Sequence, residues 1–517
     1  MITDRKGFSR RQFLPRAAAA VTAVAAGVVG YELPHGSSSA SPHGKAKSTG
    51  SGPASGPAPA APAPTPDVQS FLTRPDLHPP VVRVTPVAAE ASQPTSPRFI
   101  FIAPTEYVRS PALQQGLMIL DRQGRMVWWG PVTAGKPFDL DAQSLHGQPV
   151  LTWWQGTVLS AHGSGVGEIA DDSYRTIKAV RAGHGLTTDL HELKLTSSGT
   201  ALVTAYESTT ADLSALGGPH RSPVFAGHVQ EIDLTTGKIL FDWNSLQHIP
   251  IAESQQPLPR RNQTYDYFHL NSIDEMDDGN LLISGRNTWA LYKVDRSTGA
   301  ILWRLGGKRS DFSVPPAATF HWQHDASAYG PNEITVFDNA RVSKNEPSRA
   351  LLLSVDTTAK SVELKQAYEH PAAFNSGTLG SVQLLHDGRV FVGWGDQPYF
   401  SEFAADGTLL LDGQLPVGVR SYRAFTADWV GHPSDRPRIV ARANPATGFV
   451  IHASWNGATE IDHWTVLGGA QQSSLAPVGS QQWSGFETVI AVKSKGPYFC
   501  AVALDEHNNE LGRSEVV

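Results

Sequence analysis

The chain has 517 residues, 42 Lys and Arg against 48 Asp and Glu, and a formal net charge of −6. That balance leaves no basic stripe of the kind nucleic acid requires, so nucleic-acid binding is set aside. Cys500 is the only cysteine, which excludes an intrachain disulfide and a thiolate cluster around a metal.

Near the start stands "SRRQFL" (Ser9 to Leu14), a twin-arginine pattern, followed by a weakly apolar run from Ala17 to Gly30. The run is about 14 residues, short of the roughly 20 that span a bilayer. Residues 1–33 are therefore expected to be a twin-arginine export signal. The mature chain is then expected to have no membrane span and to be extracellular or associated with the cell envelope. Residues 34–95 are expected to be a disordered linker and lead-in; their first half is rich in Pro, Ala, Ser and Gly and nearly free of large side chains.

Beyond residue 96 the chain alternates short apolar runs with Gly, Asp and Asn turns, which predicts an all-β fold. One hairpin recurs six times: "LMILDRQGRMVWW", "GEIADDSYRTIKAV", "VQEIDLTTGKILFDW", "LYKVDRSTGAILWRL", "LLLSVDTTAKSVELK" and "SEFAADGTLLLDGQL". Aligned on Asp121, Asp171, Asp233, Asp295, Asp356 and Asp406, the units lie roughly 50 to 62 residues apart, close to the period of propeller repeats. A second strand pair precedes the hairpin in several units, as in "HELKLTSSGTALVTAY" and "HLNSIDEMDDGNLLISGR". Four strands per repeat make a blade, so residues 96–423 are expected to form a six-bladed β-propeller. Residues 424–517 carry about seven short strands and are expected to form a fibronectin-III/Ig-like β-sandwich, with Trp455 and Trp464 as its core aromatics.

The repeat places three histidines in one position. His191 in "DLHELKL", His269 in "FHLNSID" and His324 in "HWQHDAS" each head the first strand of a blade, which lines the central channel of a propeller. Asn271 shares a strand face with His269 by the period of two, and Arg286 ends the adjacent strand within reach of the channel. His321, His184 and His228 lack that alignment and are read as peripheral, with His321 the competitor to His324. Strand positions ordinarily favour β-branched residues, so three aligned imidazoles suggest a site. With no carboxylate evident among them, three imidazoles, an amide and a guanidinium suit a tetrahedral oxyanion. Arg286 offers a planar charged fork, and a neutral imidazole is a competent nucleophile near pH 7.

"DLHEL", "FHLNSID…GRN" and "WQHDA" resemble the motifs of the bacterial arylsulfate sulfotransferase family, which uses no nucleotide sulfate donor. The resemblance spans the propeller. It implies transfer of a sulfuryl group from an aryl sulfate to a phenol, both small molecules, through a sulfated histidine and with no cofactor. It further implies that His324 is the nucleophile, that His269, Asn271 and Arg286 hold the sulfate oxygens, and that His191 carries the proton. Trp322 and Trp394 are candidates either for stacking on the aryl ring or for filling the core. The C-terminal sandwich departs from the best-known enterobacterial type, and the cysteine pair seen there has no counterpart.

Three other readings compete. The "VDRSTGAILWRLGG" turn resembles quinone-dependent dehydrogenase propellers, but six repeats fall short of their usual eight. An exported propeller with a sandwich could serve as an adhesion or carbohydrate-binding module. Three imidazoles could also hold zinc with one position open, although stoichiometric zinc is not expected.

Overall fold

The fold is taken from a computed structural model that describes residues 67–87, 98–106, 113–159, 161–260, 263–445, 448–494 and 496–517. The expected export signal and the linker as far as residue 66 lie outside the described residues. The regular structure described is nearly all β-strand, and the six repeated aspartates show why the hairpins form. Asp121 Oδ1 accepts the N–H groups of Gln123 and Arg125, and Asp171 Oδ1 those of Ser173 and Arg175. Asp233, Asp295 and Asp356 each take two backbone N–H groups two and three residues on, and Asp406 takes that of Thr408. A short carboxylate in this position mimics a backbone turn, so each hairpin is closed by its own aspartate.

The strands form antiparallel sheets whose first strands lie side by side. One sheet runs Ala424–Ala427, Phe99–Ile102, Gly116–Asp121, Met126–Pro131. The next has eight strands. Its first half is Lys136–Leu145, Gln148–Leu159, His162–Ala170 and Thr176–Val180. Its second is Thr188–Leu195, Thr200–Ala211, Ser222–Asp233 and Ile239–Asn244. The halves join through one residue pair, Thr188 opposite Gly165. Two four-stranded sheets begin at Leu270–Glu275 and His324–Tyr329, and a further sheet begins at Ser381–Leu384.

Successive sheets bury a shared apolar layer, which accounts for alternation on both faces of each strand. Leu282, Leu291 and Leu305 meet Ile334, Val336 and Leu351; Phe337, Ala350 and Leu352 meet Val382, Val390 and Val392. Phe391, Phe400 and Leu411 of the last sheet return against Ile100, Ile102 and Met118 of the first. The first strands likewise touch in sequence, and Ala424–Ala427 closes the series against Lys136–Leu145.

Two boundaries drawn from the sequence move. The lead-in expected to lack structure as far as 95 contains a strand, Arg83–Pro86, paired with Leu409–Gln414 at the outer edge of the last sheet. The division at 423/424 cuts through a sheet, because Ala424–Ala427 pairs with Phe99–Ile102. Register between strands more than 300 residues apart is set by tertiary packing, which no local pattern encodes.

Residues 438–513 form a three-stranded and a four-stranded sheet that share a core of Ile439, Ile451, Ile490, Trp464, Val466 and Phe499. Trp464 is buried there as expected. Trp455 is only partly buried at its rim, held by an Nε1 bond to Asp435 O at 2.8 Å. Asn456 and Gly457 fasten this region to the first sheets through Trp129 and Tyr174. Among the described residues no helix is long and apolar enough to cross a membrane.

Candidate active site

Four first strands slip register against their neighbours where polar residues cluster. The slips fall at Phe138/Asp141, Thr188/Leu193, Leu270/Ser272 and His324/Ser327. An extra residue in a bulge breaks the period of two and re-aims side chains. Asp139, His269 and Asp325 have φ of 60°, 52° and 47°, a left-handed region that costs energy for residues bearing a Cβ and collects at functional positions.

The bulges bring two of the aligned histidines into contact: the rings of His191 and His269 have centroids 4.9 Å apart. Each is steered by a carboxylate. His191 Nδ1 lies 2.5 Å from Asp189 Oδ2, and His269 Nδ1 lies 2.5 Å from Asp266 Oδ2. A carboxylate accepts, so both imidazoles donate from Nδ1. Burial alone would raise the Asp189 carboxyl, but His191 beside it holds it below the usual carboxylate range.

A fourth histidine, His162, joins the cluster. Its ring packs 4.1 Å from Tyr206, 4.5 Å from Phe225 and 5.3 Å from His269, and its Nε2 lies 3.3 Å from Asp266 Oδ2. One carboxylate thus faces two imidazoles. Burial pushes His269 down to about 4 despite Asp266, whereas His162 is held above its ordinary value because Asp266 outweighs its burial. Of the two rings on Asp266, His162 is thus held above the ordinary imidazole value and His269 below it.

His162, Asp266 and His269 are also the described side chains that converge as metal ligands would, with ligand atoms within 4.8 Å of one another. Two ligands about 2.0 Å from a tetrahedral ion sit more than 3 Å apart. The 2.5 Å between Asp266 and His269 is a hydrogen-bond length, so this arrangement does not fit an ion.

His324 occupies the expected first-strand position in the following sheet, and Arg286, His269 and His191 all act electrostatically upon it. Its Nδ1 lies 2.7 Å from Asn339 Oδ1, and its Nε2 accepts the Leu379 N–H at 3.3 Å. Burial, then Arg286, hold it well below the ordinary imidazole value. The Arg286 guanidinium lies 5.1 Å from the Trp322 ring and donates to Asn287 Oδ1 and Gly377 O, both at 3.0 Å. Trp322, Phe225 and Leu379 are partly exposed at the edge of the cluster.

Asn271 is fully buried and donates one amide hydrogen to Gln323 O at 2.7 Å, tying the His269 strand to the residue before His324. Trp394 is not at the site: it is fully buried between Phe337 and Phe374 and donates Nε1–H to Ser401 Oγ. Its place at the end of a second strand matched that of Arg286, but its ring fills the layer between two sheets. His321 stands against Trp289 and donates its backbone N–H to Asp338. His184 and His228 pair with Asp242.

Below the histidines lies a charged cluster that the sequence did not disclose. Arg423 bonds Asp139 at 3.1 Å, Glu192 at 3.0 and 2.9 Å and Asn271 O at 3.2 Å, with Asp325 at 3.3 Å. Tyr422 OH donates to His191 O at 3.2 Å. Carboxylates thus do stand among the histidines, contrary to the expectation from the sequence: Asp189 and Asp266 lie two and three residues before the histidines they orient. "DLH" and "DYFH" carried that signal.

An all-β chain whose first strands converge on oriented imidazoles and a guanidinium has the equipment of a group-transfer enzyme acting on an anion. The arylsulfotransferase (ASST) family model matches residues 141–415, just over half of the chain. The chain belongs to that family, which supports arylsulfotransferase activity on small aryl molecules. No curated protein matches. Similar solved structures include a protein of unknown function from Bacteroides caccae, at 10% identity over 64% of this chain and 99% of that one, TM-score 0.38. A catalytically inactive virginiamycin B lyase from Staphylococcus aureus with quinupristin has 9% identity over 73% and 97%, TM-score 0.34. A streptogramin B lyase has 12% identity over 67% and 94%, TM-score 0.35.

Proposed function

We propose that the chain is an arylsulfate sulfotransferase that takes a sulfuryl group from a phenolic sulfate ester onto His324 and passes it to a phenolic acceptor in a ping-pong cycle. The observation that carries this reading is that three imidazoles are each engaged at Nδ1 by a side-chain acceptor. The Nδ1 atoms of His191, His269 and His324 are engaged by Asp189, Asp266 and Asn339, which makes Nε2 the nitrogen for chemistry in each ring; in His324 it meets only the Leu379 N–H, at 3.3 Å.

In the first half-reaction the Nε2 lone pair of His324 forms the N–S bond as the bond from sulfur to the aryl oxygen breaks. The electron pair leaves on the phenoxide, which takes a proton from His191; a phenol holds that proton with a pKa of about 10. In the second, an acceptor phenol returns a proton to His191 and attacks sulfur. Arg286 and the second amide hydrogen of Asn271 hold the sulfuryl oxygens, whose spread charge makes electrostatic preorganisation the main source of acceleration. His269, expected from the sequence to share that task, keeps its proton on Nδ1 against Asp266 and, while neutral, has none on Nε2 to give them. Trp322 is the stacking surface for the aryl ring. No cofactor takes part.

For the scaffold, we read the halves of the eight-stranded sheet as separate blades, giving six blades between Phe99 and Ala427 and a sandwich after them. Export by the twin-arginine route remains the proposed localisation. The test is incubation with nitrophenyl sulfate. Sustained release of nitrophenol only when a phenol is added, with parallel double-reciprocal plots, supports the reading. Steady release to water, or none, contradicts it.

A further inference from the structure

His191 and His269 rest their Nδ1 atoms on carboxylates, but His324 rests its own on an amide, and that amide has one possible orientation. Asn339 is fully buried, and its Nδ2 donates to Ser376 O at 2.8 Å and to Leu379 O at 2.9 Å. Flipping the amide would set its oxygen against two carbonyls, so Oδ1 is the atom that faces His324 Nδ1 at 2.7 Å. An acceptor opposite Nδ1 requires the imidazole to carry its proton there. Independently, the Leu379 N–H points at Nε2 from 3.3 Å, which requires a lone pair on Nε2. Leu379 reaches both partners, its N–H on the imidazole and its C=O on the amide, from a left-handed backbone with φ of 66°.

We infer that Asn339 is a positioning residue that holds His324 as the neutral Nδ1–H tautomer and so keeps a lone pair on Nε2, which the long 3.3 Å bond from the Leu379 N–H occupies until a sulfuryl group displaces it; the assignment rests on His324 being the nucleophile. The choice of amide over carboxylate matters because a carboxylate at this distance stabilises the imidazolium, whose second proton would cap the lone pair. The groups facing His324 are consistent with a neutral ring. Arg286, His269 and His191 act on it as positive or potentially positive groups, while Asn339, Trp322 O and the Leu379 N–H are neutral. Asp325, next in the chain, turns away to Val382 N–H and Arg423. Asn339 comes directly after the second strand of its sheet. In the preceding sheet a buried asparagine two residues past the second strand, Asn287, ties Asp266 O by a 2.6 Å bond.

The test has two arms. In the unsubstituted protein, nitrogen-15 spectra of the histidine rings, with His324 assigned by its loss in His324→Gln, are expected to show a protonated Nδ1 and a bare Nε2 at pH 7. A ring protonated on Nε2 overturns the inference. In the second arm, Asn339→Asp is expected to move the acid limb of kcat/KM upward by at least one pH unit. Asn339→Ala is expected to lower kcat by about 10- to 100-fold with little change in KM. An acid limb that does not move in a folded Asn339→Asp protein also overturns it. Should either variant fail to fold, the spectra decide alone. If His324 proves not to be sulfated while its tautomer is as stated, it is the functional reading that fails.

Discussion

Replacing Arg423 with methionine removes the cation in direct contact with Asp139, Glu192 and Asp325, all less than 10% exposed. The guanidinium makes four bonds of 2.9–3.2 Å and a contact at 3.3 Å, and methionine can replace none of them. Removing one partner of a buried ion pair costs about 3–5 kcal/mol, because the remaining charge stays buried. That cost has a direction in pH. Burial, offset only in part by Arg423, already holds Asp139 and Asp325 above the usual carboxylate range. Groups with raised pKa bind protons more tightly in the folded state, so acidification favours folding at these sites. Each carboxylate recovers about 1.4 kcal/mol per pH unit until it is protonated. In urea unfolding, Arg423→Met should lose about 3–5 kcal/mol at pH 7.5 and roughly half of that at pH 5.5. A loss below about 1 kcal/mol at pH 7.5, or a loss that grows on acidification, would refute the reasoning.

Further outcomes follow from the site. Asp189→Asn should lower kcat by about 10²- to 10⁴-fold for sulfates of ordinary phenols, and far less for nitrophenyl sulfate, whose leaving group needs little protonation; rates across a leaving-group series check this. His269, pushed down to about 4 by burial, stabilises the fold while neutral. That contribution is complete above about pH 6.5 and is lost as the pH falls towards 4, by up to about 3 kcal/mol. His269→Gln should therefore flatten the fall of stability across that window in urea titrations. Trp322→Ala should raise KM for the aryl sulfate about two- to tenfold. Trp394→Phe should leave KM unchanged and reduce stability by about 1 kcal/mol, which kinetics and melting together distinguish.

Much of the scaffold is legible in the sequence because its rules are local. The turn aspartates cap their own hairpins, and alternation writes the buried faces, so six repeats can be read without a structure. The placing of His191, His269 and His324 in or beside first strands follows from the same repeat, although only His324 heads its strand: His191 is the fourth residue of Thr188–Leu195 and His269 precedes Leu270–Glu275. The bulges defeat local reading: a slip by an odd number of residues reverses which side chains share a face, and nothing in "DLHELKL" or "QHDASAY" marks where the slip falls. Arg423 escapes notice for another reason. It sits beside a strand that joins a sheet begun more than 300 residues earlier, so its three carboxylate partners come from three distant first strands. Trp394 stays open in the sequence because a large aromatic at the end of a strand serves a core or a pocket equally well; only its bond to Ser401 and its neighbours Phe337 and Phe374 decide for the core.

The central claim is that His324 carries the sulfuryl group between donor and acceptor. Mass spectrometry of the protein after addition of nitrophenyl sulfate without a phenol tests it most directly. The account predicts a gain of one sulfuryl group on the peptide containing His324, discharged by phenol and absent from His324→Ala. An unmodified peptide in an active preparation, or a modification that survives His324→Ala, would contradict it.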